Sequence, residues 1–125
     1  MPGYELIGKQ EQRELNKIFS EGNVLFRQGF ENIRKSFKTL EFEKKFSRYM
    51  KSNYALAVTS GTAALRVALA ALNLKPGDEV ITQSFTFVAT AEAIIESGAK
   101  PIISDIDDTL NMDPNDLEIK ITKNT

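Results

Sequence analysis

The apolar positions of this chain change rhythm near residue 53. Before it they fall at helical spacing. In "KQEQRELNKIFS", residues 9–20, Leu15, Ile18 and Phe19 share one face of a helix, and Gly22 stands just beyond as a stop. Phe30, Ile33, Phe37 and Leu40, then Phe42, Phe46, Tyr49 and Met50, keep helical spacing through a charged background up to Ser52-Asn53. That pattern predicts one long or broken amphipathic helix. After it the apolar residues come in short dense runs. Tyr54 to Thr59, Glu79 to Thr82 and Pro101 to Ile106 suit strands buried on both faces, whereas Thr62 to Asn73 and Thr86 to Ser97 suit helices, the second stopped by Gly98. Lys75-Pro76-Gly77-Asp78 is a turn by its own chemistry, and Asp113-Pro114 reads as an N-cap followed by proline in a first helical turn. Strand alternating with helix predicts the α/β class, a mainly parallel sheet with helical crossovers.

The step from the first strand into the Thr62 helix is where chemistry is expected. A strand ending in Thr59-Ser60, a glycine at 61 and a helix start leave the first backbone N–H groups pointing out of the carboxyl end of a sheet. The helix dipole adds partial positive charge there, Gly61 lets a phosphate approach the backbone, and the Ser60 and Thr62 hydroxyls can complete its hydrogen bonds. Taken alone, the tripeptide S-G-T serves equally as an N-cap and a tight turn.

Composition narrows what such a site can do. The 125 residues are about one domain, and 42% apolar residues suffice for a core. Sixteen basic against seventeen acidic side chains give a net charge of -1, so neither nucleic acid nor an anionic membrane is expected as a partner. The absence of Cys removes thiolate nucleophiles and Cys-ligated metals, and the absence of His leaves acid-base chemistry to Lys, carboxylates or a cofactor. No metal site is expected. Met1 to Ser20 has no apolar run of signal or spanning length, which makes the cytoplasm the expected location.

Six blocks then occur in one order: "FEKKFSRY", "YALAVTSGTAAL", "LKPGDEVI", "SFTFVATAEAI", "GAKPIISDID" and "LNMDPNDLE". Together they resemble the DegT/DnrJ/EryC1/StrS family of sugar aminotransferases dependent on pyridoxal phosphate (PLP), well over residues 42–122 and more loosely from Gly8. The resemblance implies the aspartate-aminotransferase-like fold, PLP fold type I, with a homodimer whose active sites lie between subunits. On that scheme residues 1–53 form an amino-terminal helical segment and 54–125 the first part of the PLP-binding large domain. Gly61, Thr62 and the backbone of Ala63 would hold the cofactor phosphate, and Phe87 would stack on the pyridine ring. Thr86 and Thr90 read as cap or packing hydroxyls, and Phe85 as a residue lining the site or the subunit contact. Gln83, where the family commonly has proline, and Lys51-Ser52-Asn53 depart from the pattern without touching these positions.

The implied reaction is transamination of a keto sugar, commonly nucleotide-linked, with glutamate or glutamine as amino donor. It needs a Schiff-base Lys, which the family carries downstream of the block ending near Thr122. None of the eleven lysines here stands in that context; Lys44, Lys45, Lys51, Lys75 and Lys100 read as solvated surface. The chain is therefore expected to be an amino-terminal piece, inactive and association-prone by itself. Two other readings compete. "IISDIDDTL" matches the D-x-D-x-T signature of haloacid-dehalogenase-like Mg²⁺ phosphatases, with Asp105 as nucleophile, Asp107 as acid-base and Thr109 on the phosphoryl oxygens, although only sixteen residues follow it. A non-catalytic regulator of the PLP family is the third, and His in place of the downstream Lys would point to the related sugar dehydratases.

Overall fold

The computed structural model describes residues 3–125, so the amino-terminal segment expected from Met1 is seen from Gly3 onward. The chain forms two compact units, one ending at Ala57 and the other comprising Val58–Thr125.

In the first unit a single 3-10 turn, Tyr4–Leu6, precedes α1, Lys9–Ser20. The Glu11 carboxylate accepts the Gly8 N–H at 2.8 Å and so satisfies one of the donors that a helix start leaves over. Gly22 ends the helix as expected, with φ at +121°. A Cβ there would stand 2.4 Å from the Ile33 carbonyl oxygen, so both conformation and space demand glycine.

The long helix expected from Phe30 is shorter. Only α2, Lys38–Tyr49, forms, and residues 21–37 are turns. The reason is local: Phe30 holds φ at +62°, outside the helical region, and its ring stacks on Phe26 at 5.7 Å instead of joining a helical stripe. Glu43 of α2 is 5% exposed. Its carboxylate accepts two hydrogen bonds from Arg27, at 2.8 and 2.7 Å, and the Ala57 N–H at 2.9 Å. The strand expected over Tyr54–Thr59 does not form, because the run finds no ladder partner among the described residues and Ala57 spends its N–H on Glu43.

The second unit is the α/β part. The strand β1, Glu79–Gln83, and β2, Lys100–Ser104, pair in parallel with Glu79 opposite Lys100 and Gln83 opposite Ser104. The 75–78 turn delivers β1, its Asp78 carboxylate accepting the Lys75 N–H at 2.8 Å. Between the strands runs α4, Val88–Glu96, closed at Gly98 as expected. It buries Ala89, Ala93 and Ile94, which with Ala99 make the small apolar core over the strand pair. The preceding helix α3, Gly61–Ala71, packs on α4, and Arg66 meets Glu96 through two contacts of 2.5 Å. Beyond β2, Ile106 makes an antiparallel bridge with Met112 and leaves the strand two residues short of its expected end. The helix α5, Pro114–Lys120, starts as anticipated, with the Asp113 carboxylate accepting the Asn115 N–H at 2.8 Å.

Where β2 ends, one carboxylate oxygen organises the backbone. Asp116 Oδ2 accepts the Asp105 N–H at 2.7 Å, the hydroxyl of fully buried Ser104 at 2.9 Å and the Lys120 ammonium at 2.9 Å. Lys120, then the Asp105 and Ser104 bonds, hold its carboxyl below the usual range. A depressed folded-state value means that the contribution is complete above the ordinary 3.8 and disappears as pH falls through the lower folded value. Denaturant melts between pH 7 and pH 2 are expected to show stability falling only below about pH 4. Asp116→Asn should be less stable at pH 7 and lose less on acidification, and an unchanged acid limb in that variant would contradict the assignment.

The two-stranded sheet leaves one edge of each strand without a strand partner, and Val67, Leu72, Phe85, Phe87 and Ile95 are exposed. Residues 1–125 produced alone are therefore expected to self-associate. Sedimentation over a concentration series checks this: a single monomeric species with a cooperative melt would refute it.

Candidate functional site

The expected anion turn lies where the second unit begins. Ser60 has fully extended backbone, φ -161° and ψ 165°, and is the N-cap of α3, which starts at Gly61, one residue earlier than expected. The Ser60 hydroxyl oxygen accepts the Ala63 N–H at 3.1 Å, and the Ser60 carbonyl accepts the Ala64 N–H at 3.0 Å. Among the described residues, the N–H groups of Gly61 and Thr62 have no acceptor. Two amides are thus free at the positive end of an eleven-residue helix, and a third is held by its cap.

Gly61 itself is explained by neither strain nor packing. Its φ lies outside the left-handed region, and a Cβ built there meets no atom within 4 Å. Open space over two unpaired N–H groups is what a phosphate ester needs, so these residues fit the phosphate of PLP. The Ala63 backbone, expected as a direct ligand, is engaged by Ser60 instead. The Ser60 hydroxyl, accepting at its oxygen, keeps its own proton to donate toward an anion.

Phe87 is not inside a helix, as its place in the expected Thr86–Ser97 element required. It is the N-cap residue of α4 with extended backbone, and its side chain is 74% exposed. A core role within this chain is therefore excluded for it, and a flat ring remains available for stacking. The helices that begin at Gly61 and just after Phe87 pack on each other, while no hydrogen bond joins the two groups. Thr86 and Thr90 are hydrogen-bonded hydroxyl to hydroxyl at 2.9 Å, bracketing the first turn of α4.

Pattern reading passed over one positioning residue. Gln83, noted only as a departure from proline, ends β1 and donates its side-chain amide to the Phe85 carbonyl at 2.6 Å. It thereby fixes the loop that carries Phe87, a task that proline could not perform for want of a donor. The signal for this was the departure itself.

The D-x-D-x-T segment folds back on itself. The Asp107 carboxylate accepts the N–H and hydroxyl of Thr109 at 2.8 and 2.5 Å, and these bonds, the hydroxyl first, hold it below the usual carboxylate range. Asp105 enters the network through its backbone, donating to Asp116 and accepting from Asp113. This is a self-satisfied turn, and no group of three metal-ligating side chains occurs among the described residues. A cavity of about 830 Å³ along the apolar face of α1, lined by Ile7, Leu15 and Ile18, belongs to the first unit and has no part in the α3 turn. None of the described helices is long and apolar enough to cross a membrane.

Comparison with known proteins agrees with the blocks. The chain is 43% identical over 121 residues to the spore coat polysaccharide biosynthesis protein SpsC of Bacillus subtilis, covering 96% of this chain and 29% of that protein. It is 45% identical over 86 residues to the UDP-2-acetamido-2-deoxy-3-oxo-D-glucuronate aminotransferase of Pseudomonas aeruginosa, covering 68% and 24%. Among solved structures it superposes on the Escherichia coli GDP-4-keto-6-deoxy-D-mannose-3-dehydratase with bound hydrated PLP. There the TM-score is 0.79 and the identity 26%, over 95% of this chain and 30% of that one. The chain thus spans less than a third of the length of each relative, and its α/β architecture is part of the PLP fold type I large domain. With the profile of the DegT/DnrJ/EryC1/StrS aminotransferase family matching residues 9–125, across both units and the α3 turn, this chain is a member of that family.

Proposed function

We propose that the protein binds PLP at the start of α3 and contributes this site to transamination of a nucleotide-linked keto sugar, with glutamate or glutamine as amino donor. The observation that carries the reading is the pair of unbonded amides at Gly61 and Thr62 under open space. In this reading Gly61 and Thr62 donate to the cofactor phosphate, Ser60 donates its hydroxyl while holding the Ala63 amide in register, and Phe87 covers one face of the ring. Bound PLP supplies the electron sink that makes an amino group transferable. The chain's own part is to neutralise the phosphate with backbone dipoles and to fix the ring by stacking.

Two names support the substrate class. The Pseudomonas relative is named for a UDP-linked 3-oxo sugar, and the B. subtilis relative for polysaccharide biosynthesis. A cytoplasmic homodimer, with residues 1–53 as an amino-terminal segment and 54–125 opening the large domain, completes the proposal.

The test is spectroscopic. Intact protein mixed with PLP is expected to develop an absorbance band that declines on addition of glutamate or glutamine and returns with the keto sugar. A PLP band that ignores both donors would instead support a regulator. Gly61→Val, which places a branched side chain over the free amides, should weaken PLP binding about 10- to 100-fold, the equivalent of losing one or two charge-assisted hydrogen bonds. Phe87→Ala should weaken it about 2- to 10-fold through lost stacking, with the fold intact because the ring is already exposed. Unaltered affinity in Gly61→Val would remove the α3 turn from the site.

A further inference from the structure

We propose that the cavity between the end of α1 and the 31–35 turn is a second anion site, one that takes a small phosphate or carboxylate on Arg34. The cavity is about 540 Å³ and is lined by Glu21, Gly22, Glu31, Ile33, Arg34 and Lys35. Arg34 is 6% exposed. Its Nη1 donates to the Phe26 carbonyl, and its guanidinium carbon lies 4.0 Å from the centre of the Phe37 ring. Its Nε and Nη2 are shielded and have no partner.

Those two nitrogens form one edge of the guanidinium, the fork that grips a carboxylate or phosphate with two parallel bonds. Arg27 shows what that edge does in the same unit: its Nε and Nη2 meet the two oxygens of Glu43 at 2.8 and 2.7 Å. Arg27 keeps 39% of its side chain exposed, yet its fork is filled. Arg34 is far more buried and its fork is not. Buried charged donors without acceptors are strongly disfavoured, so the unpaired edge is a site in want of an oxyanion.

The opposite wall defines the rest of the ligand. Glu21 Oε2 is also shielded and unpartnered, and the ion pair of Glu21 is with Lys17, at 3.9 Å, rather than with Arg34. An oxyanion that also carries a hydrogen-bond donor satisfies both walls: hydrogen phosphate has its own O–H, and a hydroxy acid has its hydroxyl. Gly22, in van der Waals range of the Ile33 carbonyl as no other residue could be, fixes the floor between Glu21 and Arg34. The proposal is independent of the reading of the α3 turn.

Calorimetric titration of the intact protein, preloaded with PLP, tests the site with inorganic phosphate and with glycolate as separate probes. One saturable event is expected for at least one of them, and which one answers tells phosphate from carboxylate. Arg34→Lys keeps the charge and removes the fork, and should weaken that event about tenfold or more, as should Arg34→Gln, while Gly61→Val leaves it unchanged. In the wild-type protein, where folding is not in question, the Arg34 Nε–H proton resonance should shift with the same saturation. No saturable binding of either probe, equal binding by Arg34→Lys, or a stationary Nε–H resonance would overturn the proposal.

Discussion

A helix cannot satisfy its own first amides, and the way α3 meets that constraint governs everything proposed for this chain. Ser60 arrives in extended backbone and returns its hydroxyl to the Ala63 N–H, so the cap absorbs one donor and leaves those of Gly61 and Thr62 unused. Had the cap been a residue without a side-chain acceptor, a third donor would be free but the turn would be less fixed. The observed compromise favours order over the number of donors. It is a reasonable one for an anion site, because a phosphate gains most from dipoles that do not have to reorganise when it arrives.

The remainder of the second unit steadies that turn. Because β1 and β2 pair in parallel, the chain must cross between them through α4, and α4 is the element that buries the core, with Ile94 and Ala93 almost wholly enclosed. Packing α3 onto α4, with Arg66 and Glu96 in a two-contact ion pair, ties the anion turn to that core. At the carboxyl end of β2 the work passes to Asp116, where one oxygen collects a backbone donor, a buried hydroxyl and an ammonium. Both strands thus end in defined loops, the first carrying Phe85 and Phe87 and the second the turn over Asp107.

Much of this was legible in the residues, and the part that was not has a common cause. The helix at 9–20, both paired strands, the Gly98 stop and the Asp113-Pro114 start followed from period and cap chemistry, which act locally. Gly61 and Thr62 were found because a helix start is local too. The strand at Tyr54–Thr59 failed because a strand is a statement about a partner, and none of the described residues provides one. The helix from Phe30 failed because its aromatic spacing was real while one left-handed residue was invisible to it: the Phe26–Phe30 stack uses the same four-residue interval that a helix would.

Buried charge is the other blind spot, and it follows a rule. Period analysis assigns charged positions of an amphipathic helix to solvent, yet the one buried residue of α2 is Glu43, in the middle of a charged run. A carboxylate can lie there only because Arg27 and the Ala57 N–H surround it, and those bonds hold its proton affinity below that of a free side chain, Arg27 most of all. Asp116 obeys the same rule with three donors on one oxygen. Judged by these two, a buried ionic group in this chain comes with a full set of partners. Arg34 departs from that rule, with one carbonyl and one ring where a guanidinium offers five donors. Its departure from a rule kept elsewhere in the same chain, more than its burial, marks the cavity beside it as a place where something else belongs.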